Sequence, residues 1–222
     1  MTTHLHGEME RLRLQVLHMV RLVENAVTRA IQAYVTRDEF LAEAVVDGDA
    51  EVNALEVSID ETCLKLLALE QPVASDLRFV LGCMRISVDL ERIADEAVNI
   101  AERAMILSAR QPLPFQKPIE YMGERALAML RSATQAFVRG DTELALEIWR
   151  CDAEIDTLNH RNMREVIEYM LHETPAIERS VHTILIVRHL ERIADLVTNI
   201  CESVVFIVKG INIKHKNAFD QR

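Results

Sequence analysis

The chain has 222 residues, 50% of them apolar and 27% charged, which is the balance of a globular protein large enough to bury a real core. Six glycines, five prolines and 5% aromatics leave Ala, Leu, Val, Glu and Arg dominant, a composition that leans helical. A net charge of -10 excludes a general nucleic-acid binder, which would carry a basic face. The one local basic run, Lys209 with Lys214, His215 and Lys216, reads as a solvated terminus.

In chain order, apolar residues recur at helical spacing from His4 to Tyr34: Leu5, Met9, Leu12, Val16, Val20, Val23, Val27 and Ile31. Instead of the apolar run of a secretory leader, this start carries His4, Glu8 and Glu10. Asp38 is placed to cap a second helix that runs to about Leu69, where Pro72 interrupts it. A third helix runs from about Ala74 to Leu107. The stretch 111–118, QPLPFQKP, holds three of the five prolines and is the natural linker. Three more helices follow, at about Ile119–Val138, Asp141–Leu171 and Pro175–Lys209. None approaches the roughly 20 apolar residues of a membrane span. Cys63, Cys83, Cys151 and Cys201 are widely spaced without a CxxC pair and read as structural free thiols, so a cytoplasmic protein is expected.

The second half repeats the first. AIQAYVTRD (30–38) matches ATQAFVRGD (133–141), and DAEVNALE (49–56) matches DAEIDTLN (152–159). LERIADEAVNIAE (90–102) returns as LERIADLVTNICE (190–202), identical at nine of thirteen positions. Two copies are too few for a solenoid. The expected fold is therefore all-α, two tandem and similar three-helix bundles built from six long helices: residues 1–110, a linker at 111–118, and residues 119–222. In the third helix the packing seam is Ile86, Leu90, Ile93, Ala97, Ile100 and Ala104. In the sixth it is Ile186, Leu190, Ile193, Val197, Ile200 and Val204, again stepping by four and three.

Glu91, Asp95 and Asn99 lie opposite that seam, stacked one turn apart, and so do Glu191, Asp195 and Asn199. A single acidic helix face is ordinarily solvated. The second helix adds another i, i+4 oxygen pair, Asp49 with Asn53, whose equivalents in the second half are Asp152 and Asp156. Counting outward from Pro72, positions 51 and 93 stand at one level of an antiparallel hairpin, and the Pro175 hairpin behaves similarly. Each bundle thus brings two oxygen pairs to one height. Like charges one turn apart repel unless a cation sits between them, and oxygen donors without Cys or His select Mg, Mn, Ca or iron. The competing reading is a pair of acidic faces balanced by Arg92 and Arg192.

Catalytic alternatives find less support. A ferritin-like di-iron centre wants Glu-x-x-His, and no helical histidine has an acid three residues before it. There is no Gly-x-Ser-x-Gly elbow and no phosphate-cradling glycine loop. A metal-dependent hydrolase or oxidase using the same carboxylates is the rival function, and a purely structural bundle the third. His182 and His189 read as ordinary helix residues. Leu77, Leu81, Met84 and Val88 form a second apolar stripe on the third helix, which needs cover from within the chain or from a partner. Asp76 reads as that helix's cap, with Arg78 pairing outward.

These segments together resemble the PhoU family of phosphate-uptake regulators over essentially the whole length. The specific parts are QPVASDLRFVLGCMRISVDLERIADEAVNIAE (71–102), LERIADLVTNICESVVFIVKG (190–210) and GINIKH (210–215). The family's E(D)xxxD motif matches Glu91/Asp95, Glu191/Asp195 and Asp152/Asp156; Asp49/Asn53 departs from it by an amide, which implies a weaker first site. The resemblance implies a homodimer of paired three-helix bundles with multinuclear iron or zinc sites and no enzymatic reaction. It further implies a cytoplasmic adaptor between the phosphate transporter ATPase PstB and the sensor kinase PhoR, restraining the phosphate-starvation response and meeting the membrane only through its partners.

Overall fold

The computed structural model describes residues 2–213, so Lys214, His215 and Lys216 lie outside the described residues. Six helices follow in order: α1 Thr2–Thr36, α2 Glu39–Glu70, α3 Ala74–Ser108, α4 Gln116–Arg139, α5 Thr142–His172 and α6 Ile177–Lys209. A single 3-10 turn, Thr174–Ala176, with Pro175 in its first positions, leads into α6.

Local chemistry explains where these helices begin and end. Asp38 caps α2 by accepting from the Leu41 amide at 3.2 Å. Asp141, its counterpart in the repeat, caps α5 by accepting from the amides of Glu143 and Leu144 at 3.1 and 3.0 Å. Each cap follows a residue in the left-handed region. In the second bundle this is Gly140 (φ 63°), but in the first it is Arg37 (φ 59°), which has a Cβ to accommodate. The Arg37 guanidinium compensates by donating to the carbonyls of Ser108 and Arg110 at the end of α3.

Two expectations need correction here. Helix α4 starts at Gln116, inside the stretch read as linker, because Pro118 falls in the first turn, where a missing N–H costs nothing. Asp76 is not the cap of α3. Val73 holds that position without a side-chain bond, and Asp76 sits in the first turn, where its charge suits the helix dipole.

Helices α1, α2 and α3 pack on one another, as do α4, α5 and α6. The two bundles then join through α3 against α6 and α1 against α4, while α2 touches only α1 and α3. Every residue of both predicted seams is buried, and one continuous apolar cluster runs through both bundles. The α3–α6 pairing is antiparallel: the Arg78 Nε–H donates to the Ile207 carbonyl at 3.3 Å, Arg85 stacks on the Phe206 ring at 4.4 Å, and Glu96 meets His189. Arg78 therefore points across to the other bundle instead of pairing outward. The second apolar stripe is only partly covered: Leu81, Met84 and Val88 are half-buried, and Met84 and Val88 line an open groove whose other wall includes Asn199, Glu202 and Ser203 of α6. Leu77, nearer the helix start, stays 36% exposed.

All four cysteines are free. Burial pushes the Cys63 and Cys201 thiols up to about 12, which makes them packing residues and not nucleophiles.

At Gly82 α3 approaches α6 closely. A Cβ there would meet Ile207 Cγ1 at 2.2 Å, so even alanine must displace that side chain. Gly82→Ala should lower unfolding stability by about 1–3 kcal/mol, the ordinary cost of overpacking. Ile207→Ala vacates the space, so the double variant should lose less than the two singles combined. Urea denaturation of the three variants measures this directly.

Candidate metal-binding carboxylate clusters

The α2–α3 hairpin brings the first oxygen pair to its expected level. Glu91 feels Asp95, Glu56 and Asp49, and Asp95 feels Asp49 and Glu96. Partial burial, then these neighbouring charges, push both carboxyls above the usual range. Asp49 Oδ2 accepts from the Asn53 amide at 2.8 Å, while the Oδ1 atoms of Asp49 and Asn53 are buried without partners. Glu56 was missed by the sequence reading, although the repeat alignment ends on it.

In the second bundle α5 faces α6 in the same way. Asp152 is half-buried, and burial with Asp195, Asp156 and Glu191 pushes its carboxyl up to about 6. Glu191 and Asp195 are likewise raised, by burial first and by Asp195 and Asp156 in turn. The balancing arginines are only partly engaged: Arg92 and Arg192 lower their adjacent glutamates, but Arg192 Nη1 donates to Glu96 at 3.3 Å across the seam.

The two asparagines of the ladder behave differently from the acids. Asn199 turns to the other bundle, its Nδ2 donating to Asp89 Oδ1 at 3.4 Å. Asn99 is half-buried and makes no side-chain hydrogen bond among the described residues. Asp95 and Asp195 line one surface groove together with Arg92, Glu96 and Arg192, so both clusters open on the same side of the α3–α6 seam. Glu96, which lines this groove, also meets His189 across the seam, a pair the sequence did not foreshadow.

The donors fit a hard cation in type and in field, being oxygens that repel one another and include buried, unpartnered atoms. They are not assembled into a ready coordination sphere: among the described residues, no three His, Cys, Asp or Glu side chains converge on one point.

Comparison with known proteins decides the family. The PhoU domain model matches twice, at residues 16–104 and 119–204. The chain belongs to the PhoU family. It is 37% identical over 210 residues to the phosphate-specific transport system accessory protein PhoU of Edwardsiella tarda, covering 95% of this chain and 86% of that relative. The crystal structure of PhoU from Pseudomonas aeruginosa superposes with a TM-score of 0.90 at 37% identity, covering 93% of this chain and 99% of that one. The phosphate transport system regulatory protein PhoU from Streptococcus pneumoniae gives 0.88 at 31% identity, covering 94% and 99%. These likenesses confirm the all-α fold of paired three-helix bundles.

The raised carboxyls set a pH dependence for metal-free protein. An aspartate titrates near 3.9 in an unfolded chain, whereas Asp152 titrates at about 6 in the folded one. The stability linked to its protonated form is complete below about pH 4 and is lost as pH rises through about 6. Asp152→Asn should therefore match wild type at pH 4 and exceed it at pH 7 in chelator-treated samples. Urea midpoints across that range check it; parallel curves would contradict the electrostatic account.

Proposed function

We propose that this chain is a non-catalytic, metal-binding regulator of phosphate uptake. It acts in the cytoplasm as a homodimeric adaptor between the phosphate transporter ATPase PstB and the sensor kinase PhoR, restraining the phosphate-starvation response. The observation that carries the metal part is the pair of like-charged oxygen clusters, one per bundle, each held by two helices of one hairpin. Asp49, Glu56, Glu91 and Asp95 would hold a cation in the first, with the Asn53 oxygen beside them. Asp152, Asp156, Glu191 and Asp195 would hold one in the second. Iron, zinc, manganese or magnesium would relieve the carboxylate repulsion and tie α2 to α3 and α5 to α6.

The regulatory part rests on the relatives, named accessory and regulatory proteins of phosphate transport. Among the described residues, no helix is long and apolar enough to cross a membrane.

Elemental analysis of protein purified without a metal-affinity step tests the first part. Wild type should carry stoichiometric metal, and Glu91→Ala/Asp95→Ala or Glu191→Ala/Asp195→Ala should each lose a share while keeping the helical circular dichroism. Metal-free wild type would overturn the site. Pull-down of the transporter ATPase and the sensor kinase, with and without chelator, tests the adaptor.

A further inference from the structure

The outward side of α2 carries an exposed apolar stripe that its counterpart α5 does not repeat. Val46, Ala50, Val57, Leu64 and Ala68 fall within one narrow stripe, with Ala50, Val57 and Leu64 spaced by sevens, as in a coiled-coil seam. All five are exposed, Val57 to 57% and Leu64 to 59%. Since α2 packs only on α1 and α3, no element among the described residues covers this stripe. It spans 22 residues, roughly 33 Å at 1.5 Å per residue.

One edge of the stripe is acidic: at 100° per residue Glu43 and Glu61 adjoin it, with Asp47 and Glu51 beyond them. Lys65 is the only cation on α2, against Glu39, Glu43, Asp47, Glu51 and Glu61 on the exposed side. Glu61 pairs only with Lys65 of its own helix, at 3.7 Å, and the other four join no ion pair among the described residues. The duplicated helix shows that this is not a demand of the scaffold. By the repeat's register, α5 carries Arg150 where α2 has Asp47, His160 where it has Val57, and Arg164 where it has Glu61.

We infer that the outward face of α2 is a docking surface for a basic amphipathic helix of another protein, its apolar side on the Val46–Ala68 stripe and its Lys and Arg side chains on the flanking carboxylates. Alanines at 50 and 68 let a second helix approach closely, and an apolar strip with a charged edge selects its facing helix by charge, as at a coiled-coil seam. A second copy of this chain is a poorer occupant: α2 would meet its own acidic edge on a second α2, and the basic α5 face has His160 and not an apolar residue at the centre. The docked helix would lie beside Asp49 and Asn53, next to the first carboxylate cluster.

The test uses full-length protein and a labelled 21-residue peptide with Leu at the heptad a and d positions and Lys elsewhere, read by fluorescence anisotropy. Wild type should bind it, with affinity falling steeply as salt rises. Val57→Gln/Leu64→Gln and, separately, Glu43→Gln/Asp47→Asn/Glu61→Gln should each weaken binding at least about tenfold. These side chains are exposed, so helicity should be retained. Ile167→Gln/Leu171→Gln on α5 should change nothing. Equal binding by the α2 variants, binding of a Glu-for-Lys peptide, or a wild-type dimer abolished by Leu64→Gln would each overturn the inference. Peptide binding lost with α2 supports this surface whether or not the transporter ATPase and the kinase are captured.

Discussion

The antiparallel packing of α3 on α6 is the constraint from which the rest of the arrangement follows. Both helices carry the repeated LERIAD segment, and each must bury one apolar seam in its own bundle and a second flank against the other. Arg78 with Ile207, Asp89 with Asn199 and Glu96 with His189 fix the register, their numbers rising on one helix as they fall on the other. A repeat offset of 100 combined with antiparallel pairing places an approximate twofold axis near Arg92 and Arg192, which share one groove. That axis brings two carboxylate ladders, far apart in sequence, to one side of the molecule. It also displaces α2 and α5 to the outside, where one flank of each has no neighbouring helix among the described residues.

Much of this was legible because the signals are local and written twice. Asp38 and Asp141 announce helix starts, and the seam residues repeat at the period a bundle requires. The vertical level of the carboxylates was legible too, since counting residues from a tight hairpin fixes height along antiparallel helices. The mutual approach of the two bundles was not. A helical period says which side of α3 is apolar but not which helix will cover it, and a bond from Arg78 to a carbonyl 129 positions away has no local signature. For the same reason Asp76 and Arg78 read as a simple cap and a surface pair, whereas Arg78 ties the start of α3 to the end of α6.

The linker shows the converse. Three prolines in eight residues were read as uniformly non-helical, but proline opposes a helix only past its first turn. Pro118 falls inside that turn, so α4 begins before it. What the prolines establish is a boundary within the segment, not the extent of the irregular stretch.

Divergence between the two copies bears on the metal question most directly. Asn53 replaces the carboxylate found at Asp156, which by motif alone makes the first cluster a charge poorer. The structure restores the balance one turn further on: Glu56 lies in the field of Glu91, and its counterpart is the uncharged, buried Asn159. The first cluster thus gathers Asp49, Glu56, Glu91 and Asp95, the second Asp152, Asp156, Glu191 and Asp195. The copies hold equal charge placed three residues apart along the helix. They differ in the freedom of their oxygens, because the Asn53 amide occupies one oxygen of Asp49, whereas Asp152 has only like charges beside it. An entering cation would relieve more repulsion at Asp152 and would displace a hydrogen bond at Asp49. The second bundle is therefore the one in which carboxylate repulsion most strongly favours a cation.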